Sequence, residues 1–149
     1  MTGFVTSLLI LVLAAPKGPA VRFVNPDGLA KSPRYSHVAE ISRGKLVLIS
    51  GQVAQDASGN LVGAGDMAAQ TRQVFENLKI ALAASGASFK NIVSLTSFIV
   101  DMSQLEKYRE IRTEYLKGMS EPPTSTTVGV PRLVREGYLL EVEAIAVVP

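Results

Sequence analysis

YLLEVEAIAVV, residues 138–148, is the stretch that decides the fold, because its side chains alternate as they do along a β-strand. One face of this strand carries Tyr138, Leu140, Val142, Ala144, Ala146 and Val148. The other face carries Glu141, Glu143, Ile145 and Val147. The sequence therefore predicts a final strand that buries one face in a core and leaves two carboxylates on the other.

Two amphipathic helices precede this strand. Asp66 is typical of a helix N-cap, and apolar residues then recur at helical spacing until Gly86 ends the first helix. Ser103-Gln104-Leu105-Glu106 predicts a capping box at the start of the second helix, which ends at Gly118. Between the helices, residues 92–100 are apolar and largely β-branched, which predicts a strand covered on both faces.

The first half of the chain contains further short strands. Residues 37–41 and 46–50 are apolar runs joined by Ser42-Arg43-Gly44-Lys45, which predicts a β-hairpin. A brief extended piece at Leu61-Val62 and another extended run at 124–130 make the predicted order β-β-(β)-α-β-α-β-β, preceded by a short extended piece at 21–24 in a loop-like region. Two helices cover only one face of such a sheet, so we expect the other face to be buried in a closed homo-oligomer.

Composition excludes several classes of chemistry. The chain has 149 residues, no cysteine and one histidine, His37. The length is that of one domain with its own core, and without cysteine there is no thiolate nucleophile, disulfide or thiolate-bound metal. We therefore expect neither a metal nor a cofactor. Fifteen Lys and Arg against thirteen Asp and Glu, scattered singly, also give no expectation of a nucleic-acid partner.

The apolar segment at residues 4–15 leaves two alternatives open. As a helix it would span roughly 18 Å, which is too short for the hydrocarbon core of a membrane. It has the length of a signal-peptide core, and Val12-Leu13-Ala14 fits a cleavage site, but residues 1–3 carry no Lys or Arg. We expect an N-terminal apolar arm or vestigial signal segment at 1–19, followed by a single domain at 20–149. The expected location is cytoplasmic, or exported if residues 1–14 act as a signal peptide.

Three features of the sequence contain candidate functional residues. Glu141 and Glu143 share a strand face with Cβ atoms roughly 7 Å apart, and in an interface pocket one of them could act as a general base. The alternative is that both are solvated or paired with cations. Gly51, at the end of an apolar strand, lets the backbone approach a ligand carboxylate, or simply ends a turn. Arg109 and Arg112 lie near Glu106 on the second helix, where salt bridges on a wet face are the ordinary expectation.

Four segments together resemble the Rid family, also called YjgF or L-PSP. They are Tyr35-Ser36, Leu48-Ile49-Ser50-Gly51-Gln52, residues 70–78 (QTRQVFENL) and residues 140–146 (LEVEAIA). The resemblance covers residues 20–149. It implies a single-domain α+β fold of the chorismate-mutase-like, YjgF type, with a mixed sheet and two helices on one face. It also implies a homotrimer whose ligand pockets lie at subunit interfaces.

The best-known members of that family hydrolyse reactive enamines and imines to 2-oxo acids and ammonia without metal or cofactor. The resemblance implies that Glu141 is the catalytic residue and positions the water. It also implies that small-molecule substrates, anionic or carbonyl-containing, contact Tyr35, Ser50, Gly51 and Thr127.

One departure from the family pattern stands out. The arginine that binds the substrate carboxylate in the family falls at Ser125, or at Thr124 if the alignment shifts by one residue, and neither is an arginine. Arg109 stands where deaminating members usually have Asn. We hypothesise that Arg109 supplies the missing guanidinium from another direction, or selects a different anion.

Three functions are compatible with these residues. The first is a metal-independent hydrolase of enamines, imines or related carbonyl metabolites, with a substrate range altered by Ser125. The second is a non-catalytic, metabolite-binding or regulatory trimer. The third, an RNA-directed endoribonuclease or translation inhibitor, is disfavoured by the weak charge and the single histidine.

Overall fold

The computed structural model describes residues 18–149. The predicted arm or signal segment falls mainly on residues 1–17, which lie outside the described residues. Eight helices and strands follow one another: β1 (Val21–Val24), β2 (Val38–Ile41), β3 (Lys45–Gln52), α1 (Met67–Ala84), β4 (Ile92–Ile99), α2 (Leu105–Leu116), β5 (Thr124–Gly129) and β6 (Leu140–Val148). The brief strand predicted at Leu61-Val62 is only an isolated bridge between Gln55 and Leu61. Short 3-10 turns at Phe89–Asn91 and Met102–Gln104 precede β4 and α2.

A four-stranded mixed sheet organises the domain, in the order β3-β6-β4-β5. β6 is antiparallel to both β3 and β4, whereas β5 runs parallel to β4 at the edge. Both helices pack on one face of this sheet, which we call the helix face, and the opposite face is called the open face. The predicted α+β fold is confirmed.

The core lies between α1, α2 and the helix face. Phe75, Leu78 and Leu82 of α1 are fully buried there together with Tyr108 of α2. The predicted alternation of β6 is confirmed from Leu140 to Ala146, because Leu140, Val142, Ala144 and Ala146 are buried on the helix face, and it ends at Val147, which is buried as well. Burying each large apolar side chain contributes about 1.5–3 kcal/mol, so this alternation fixes which face of β6 points inward.

The predicted hairpin of residues 37–41 with 46–50 is wrong. β2 pairs with β1 in a separate two-stranded ribbon, from Val21 opposite Ile41 to Val24 opposite Val38. β3 instead pairs with β6, starting at Lys45 opposite Val148. Glycine at position 44 permits this pairing, because a Cβ there would lie 2.7 Å from the Val148 carbonyl oxygen. The chain can therefore pass close to the end of β6 at Gly44 as β3 begins.

The structure confirms one of the two predicted helix starts. Asp66 is the N-cap of α1, and its Oδ1 accepts hydrogen bonds from the amides of Ala68 and Ala69 at 2.8 and 3.1 Å. The capping box at Ser103 is wrong, since Asp101 caps the preceding 3-10 turn and accepts from the Ser103 amide at 2.9 Å. Ser103 lies inside the 3-10 turn, which moves the start of α2 to Leu105, so Ser103 does not stand at the N-cap of that helix.

We expect Asp66→Ala to lower the free energy of unfolding by about 1 kcal/mol, because two amides at the start of α1 lose their acceptor. Denaturant unfolding at equal protomer concentration measures this change. Asp27→Ala, which removes an exposed loop carboxylate, is the matched control. Equal unfolding midpoints for the two variants would contradict the prediction.

Neither helix in the range 18–149 is long and apolar enough to cross a membrane.

Candidate functional site

Glu141 of β6 lies on the open face, directly over Gly51 of β3. The pairing of β3 with β6 shifts by one residue between Ile49 and Gln52, so a bulge places Gly51 beneath the carboxylate. A Cβ on Gly51 would lie 2.6 Å from Glu141 Cδ and 2.8 Å from Cγ, with Oε1 closer still. Only glycine leaves room for the carboxylate in this position. The close approach expected at Gly51 is thus made to the Glu141 side chain.

Glu141 borders a cleft of about 270 Å³ beside the loop that precedes β6. The cleft is lined by Gly51, Val53, Gln55, Val134, Arg135, Tyr138 and Glu141. The Tyr138 hydroxyl donates to Gln55 Oε1 at 3.3 Å, and Arg135 Nη1 donates to the Gly59 carbonyl at 3.1 Å. No ion pair involves Glu141 among residues 18–149. Its oxygens are therefore available to accept a hydrogen bond from a water or a ligand.

Glu143 and Ser50 belong to a different cleft on the open face. This second cleft measures about 280 Å³ and is also lined by Leu48, Ser94, Thr96 and Ile145. The two carboxylates on β6 therefore face different surroundings. Ser50, a predicted substrate-binding residue, borders the cleft of Glu143, whereas its neighbour Gly51 borders that of Glu141.

Ser125 and Thr127 lie on β5 and point toward the helix face. They pair in register with Leu95 and Ser97, both fully buried on that face. The Ser97 hydroxyl shares a 2.5 Å hydrogen bond with the Tyr108 hydroxyl of α2, and burial raises the pKa of Tyr108. Thr127 therefore lies beside a buried hydroxyl pair.

Tyr35 is held at the β5 edge of the sheet through the hydrogen bonds of its neighbour Ser36. The Ser36 hydroxyl donates to the Pro122 carbonyl at 2.7 Å, and the Ser36 amide donates to the Pro123 carbonyl at 3.1 Å. Because Pro123 immediately precedes β5, these bonds hold the loop that carries Tyr35 against the start of that strand. The Tyr35 ring also meets the His37 ring edge-on, with centroids 5.3 Å apart.

The two arginines of α2 differ in their surroundings. Arg109, the predicted replacement for the family arginine, donates from Nη1 to Glu106 Oε1 at 2.5 Å with 33% of its side chain exposed. Arg112 is only 6% exposed, so the expectation of a wet face is wrong for this residue. It follows Tyr108 by four positions and therefore lies on the helix stripe that meets the core. Burial lowers the pKa of Arg112, and the nearby charge of Arg109 lowers it further.

One chain does not bring all the predicted site residues together. Glu141 and Gly51 lie on the open face, whereas Ser125 and Thr127 lie on the helix face, with β4 between β6 and β5. These two groups can contribute to one pocket only if they come from different subunits. Exposed apolar side chains on the open face fit such an assembly, since Leu46 is 52% exposed and Leu48 is 72% exposed.

In residues 18–149, no group of three His, Asp or Glu side chains is arranged to hold a metal ion.

Comparisons with known proteins agree on one family. The family model for Endoribonuclease L-PSP matches residues 27–148. Protein DfrA of Myxococcus xanthus is 38% identical over 113 residues, which are 76% of this chain and 84% of DfrA. The mouse 2-iminobutanoate/2-iminopropanoate deaminase is 31% identical over 142 residues, which are 95% of this chain and 94% of that enzyme. The crystal structure of the conserved Rid family protein YyfB from Yersinia pestis superposes with a TM-score of 0.80 at 33% identity, covering 87% of this chain and 99% of YyfB.

Proposed function

This chain belongs to the Rid family, the family of Endoribonuclease L-PSP, and from that premise we propose that it is a homotrimeric hydrolase of reactive imines or enamines. The observation that carries the proposal is Glu141, a carboxylate without an ion pair that is held over Gly51 at a cleft able to admit a small metabolite. The mouse relative that matches 95% of this chain is named as an imine deaminase, which supports the same chemistry.

Glu141 acts in this proposal as a general base toward water. Its carboxylate accepts a proton from a bound water while the water oxygen forms a bond to the imine carbon. The electron pair of the C=N double bond moves to nitrogen, and protonated Glu141 returns its proton there, which gives a neutral carbinolamine. Glu141 then takes the proton of the new hydroxyl group and passes it to nitrogen, so the carbonyl forms as the C–N bond breaks and ammonia leaves. One imine and one water thus yield one carbonyl compound and one ammonia.

The second part of the proposal is that subunits complete the pocket. The Glu141 cleft of one subunit would face the β5 edge of the next, where Tyr35, Ser125 and Thr127 lie. The apolar open face supports this arrangement, because burying Leu46, Leu48 and Ile145 between subunits removes them from water. A cytoplasmic location belongs to the same proposal, and secretion with cleavage near residue 14 would contradict it.

We expect Leu48→Glu to dissociate the trimer, because a carboxylate would replace an apolar side chain buried between subunits. Size-exclusion chromatography with light scattering measures the mass directly. Ile80→Glu is the matched control, since Ile80 is 69% exposed on α1, away from the open face. The prediction is wrong if Leu48→Glu keeps the mass of the wild-type protein, or if the wild type is itself a monomer.

The third part of the proposal concerns substrate range. A serine hydroxyl at position 125 replaces neither the charge nor the two-pronged geometry of a guanidinium. We therefore propose that substrates bind differently from those of the arginine-bearing deaminases. Whether Arg109 supplies a guanidinium stays a prediction, and its ion pair with Glu106 would have to open first.

An amino-acid oxidase supplies imines in the experiment that tests this function. Semicarbazide traps the imine, so an active hydrolase lowers the yield of the trapped product in proportion to its own concentration. We expect hydrolysis above the uncatalysed rate for at least one imine. If no imine is hydrolysed faster than in buffer, the hydrolase proposal fails. The second candidate, a metabolite-binding trimer without catalysis, is favoured by the missing arginine and would then apply.

A further inference from the structure

Two side-chain amides of α1 hold the backbone on either side of the Glu141 cleft. They belong to Gln70 and Asn77, in the segment 70–78 to which the proposed chemistry assigns no role. Seven positions separate them, close to two helical turns, so they lie on one stripe of α1, roughly 10 Å apart along the helix. Neither side chain lines the cleft itself.

Gln70 is hydrogen-bonded to the chain just before Glu141. It is fully buried, its Nε2 donates to the carbonyls of Gly137 and Gly63 at 2.7 and 3.1 Å, and its Oε1 accepts from the Leu139 amide at 2.9 Å. Leu139 lies two residues before Glu141. A methionine could fill the same volume without requiring hydrogen bonds, so what the amide adds is a fixed position for this segment.

Asn77 is hydrogen-bonded to the chain just after Gly51. Its Nδ2 donates to the carbonyls of Val53 and Gln55 at 3.0 and 2.9 Å. Gln73, one turn earlier on α1, donates to Asn77 Oδ1 at 2.9 Å and so orients the amide with its hydrogens toward the loop. Val53 lies two residues after Gly51, and both residues line the cleft.

A hydrogen bond across the cleft joins the two held segments. The Tyr138 hydroxyl donates to Gln55 Oε1 at 3.3 Å, and both of these residues line the cleft. Tyr138 stands between the two residues that Gln70 holds, and the Gln55 backbone is held by Asn77. The bonds therefore form a closed ring that begins and ends on α1.

We propose that Gln70 and Asn77 are positioning residues that keep the Glu141 carboxylate in place over Gly51. The inference rests on the proposed function, because it concerns the general base of the same reaction. A displacement of about 1 Å at a reacting group can cost 10²-fold in rate. Among residues 18–149 no ion pair holds Glu141, so its position depends on the backbone of β6 and β3, which this ring fixes.

Kinetics of imine hydrolysis in the semicarbazide assay, on the assembled protein well below its melting temperature, test the inference. We expect Gln70→Met and Asn77→Leu each to lower kcat by about 10–100-fold. KM, and the affinity for 2-oxobutanoate as a product-like probe, should change little, because neither side chain lines the cleft. Asn77 is only partly buried, so Asn77→Leu keeps the test decisive if Gln70→Met does not fold.

Thr71→Val is the matched control. Thr71 is also fully buried on α1, but its hydroxyl donates to the Met67 carbonyl at 2.7 Å, within the helix and away from the cleft. This variant loses a buried hydrogen bond, so it should melt at a lower temperature, as a structural defect does, while its kcat stays that of the wild type.

A double variant shows whether the two amides act through the general base. In a Glu141→Gln background, Gln70→Met should lower kcat no further. The carboxyl-carbon NMR signal of Glu141, in protein labelled at glutamate and assigned with Glu141→Gln, gives a readout that does not depend on turnover. It should shift in Gln70→Met and Asn77→Leu but not in Thr71→Val.

Three kinetic results would overturn the inference. They are unchanged kcat in Gln70→Met and Asn77→Leu, an equal fall in Thr71→Val, and a further fall when Gln70→Met is added to Glu141→Gln. The hydrolase proposal is judged separately, by turnover of the wild type. If the wild type hydrolyses no imine, that proposal fails and the Glu141 carboxyl signal decides the inference alone, an unshifted signal in Gln70→Met and Asn77→Leu overturning it.

Discussion

Replacing Glu141 by glutamine is expected to lower kcat for imine hydrolysis by about 10²–10⁴-fold, the usual contribution of a general base. The amide has the size of the carboxylate and still forms hydrogen bonds, but it does not accept the proton of the attacking water. Binding of 2-oxobutanoate should therefore change little. The measurement is the semicarbazide assay for turnover, combined with calorimetry for affinity.

Glu143→Gln is the control for this prediction. Glu143 lies two residues away on the same face of β6 but borders the other cleft, so this variant should keep most of its turnover. If Glu143→Gln loses activity and Glu141→Gln does not, the general base has been assigned to the wrong carboxylate.

Gly51→Ala is expected to have the second-largest effect, a fall in kcat of about 100-fold, by displacement of the same general base. The new methyl group would overlap the Glu141 side chain, so the carboxylate has to leave the cleft. The backbone at Gly51 does not require positive φ, so alanine should be tolerated with little loss of stability. Turnover and thermal unfolding of the same preparation measure both effects.

A double variant makes this prediction sharper. If Gly51→Ala acts only through Glu141, then Gly51→Ala combined with Glu141→Gln should be no slower than the slower single variant. Gly129→Ala is the matched control, because its backbone also lacks positive φ and its methyl group would meet only the flexible Met102 side chain and a distant carbonyl. Additive losses in the double variant, or full turnover by Gly51→Ala, would refute the role given to this glycine.

The fold is predictable where apolar residues recur at a regular spacing and only one face of the helix or strand can be buried. The alternation in β6 identifies its buried face, and Asp66 and Gly86 mark the ends of α1, because these signals depend on neighbouring residues. The partner of β3 is not predictable in this way. Short apolar runs do not specify which strand they join, and the pairing of β3 with β6 joins residues that lie far apart in the sequence.

The candidate site is only partly predictable from the sequence. Gly51 and Glu141 can be singled out, but their direct contact depends on a bulge in β3 that no local pattern indicates. The sequence favours a surface position for Arg112, because charged side chains are usually solvated. Its position four residues after Tyr108, on the apolar stripe of α2, is the signal that points to burial.

A crystal structure of the protein with bound 2-oxobutanoate tests the central claim most directly, namely that two subunits complete one imine-hydrolysing pocket. We predict a trimer in which the ligand contacts the β5 edge of one subunit, where Tyr35, Ser125 and Thr127 lie. Its carbonyl carbon should face a water held by Glu141 of the neighbouring subunit. A ligand bound away from Glu141, or an assembly in which Glu141 faces open solvent far from any β5 edge, would contradict the account.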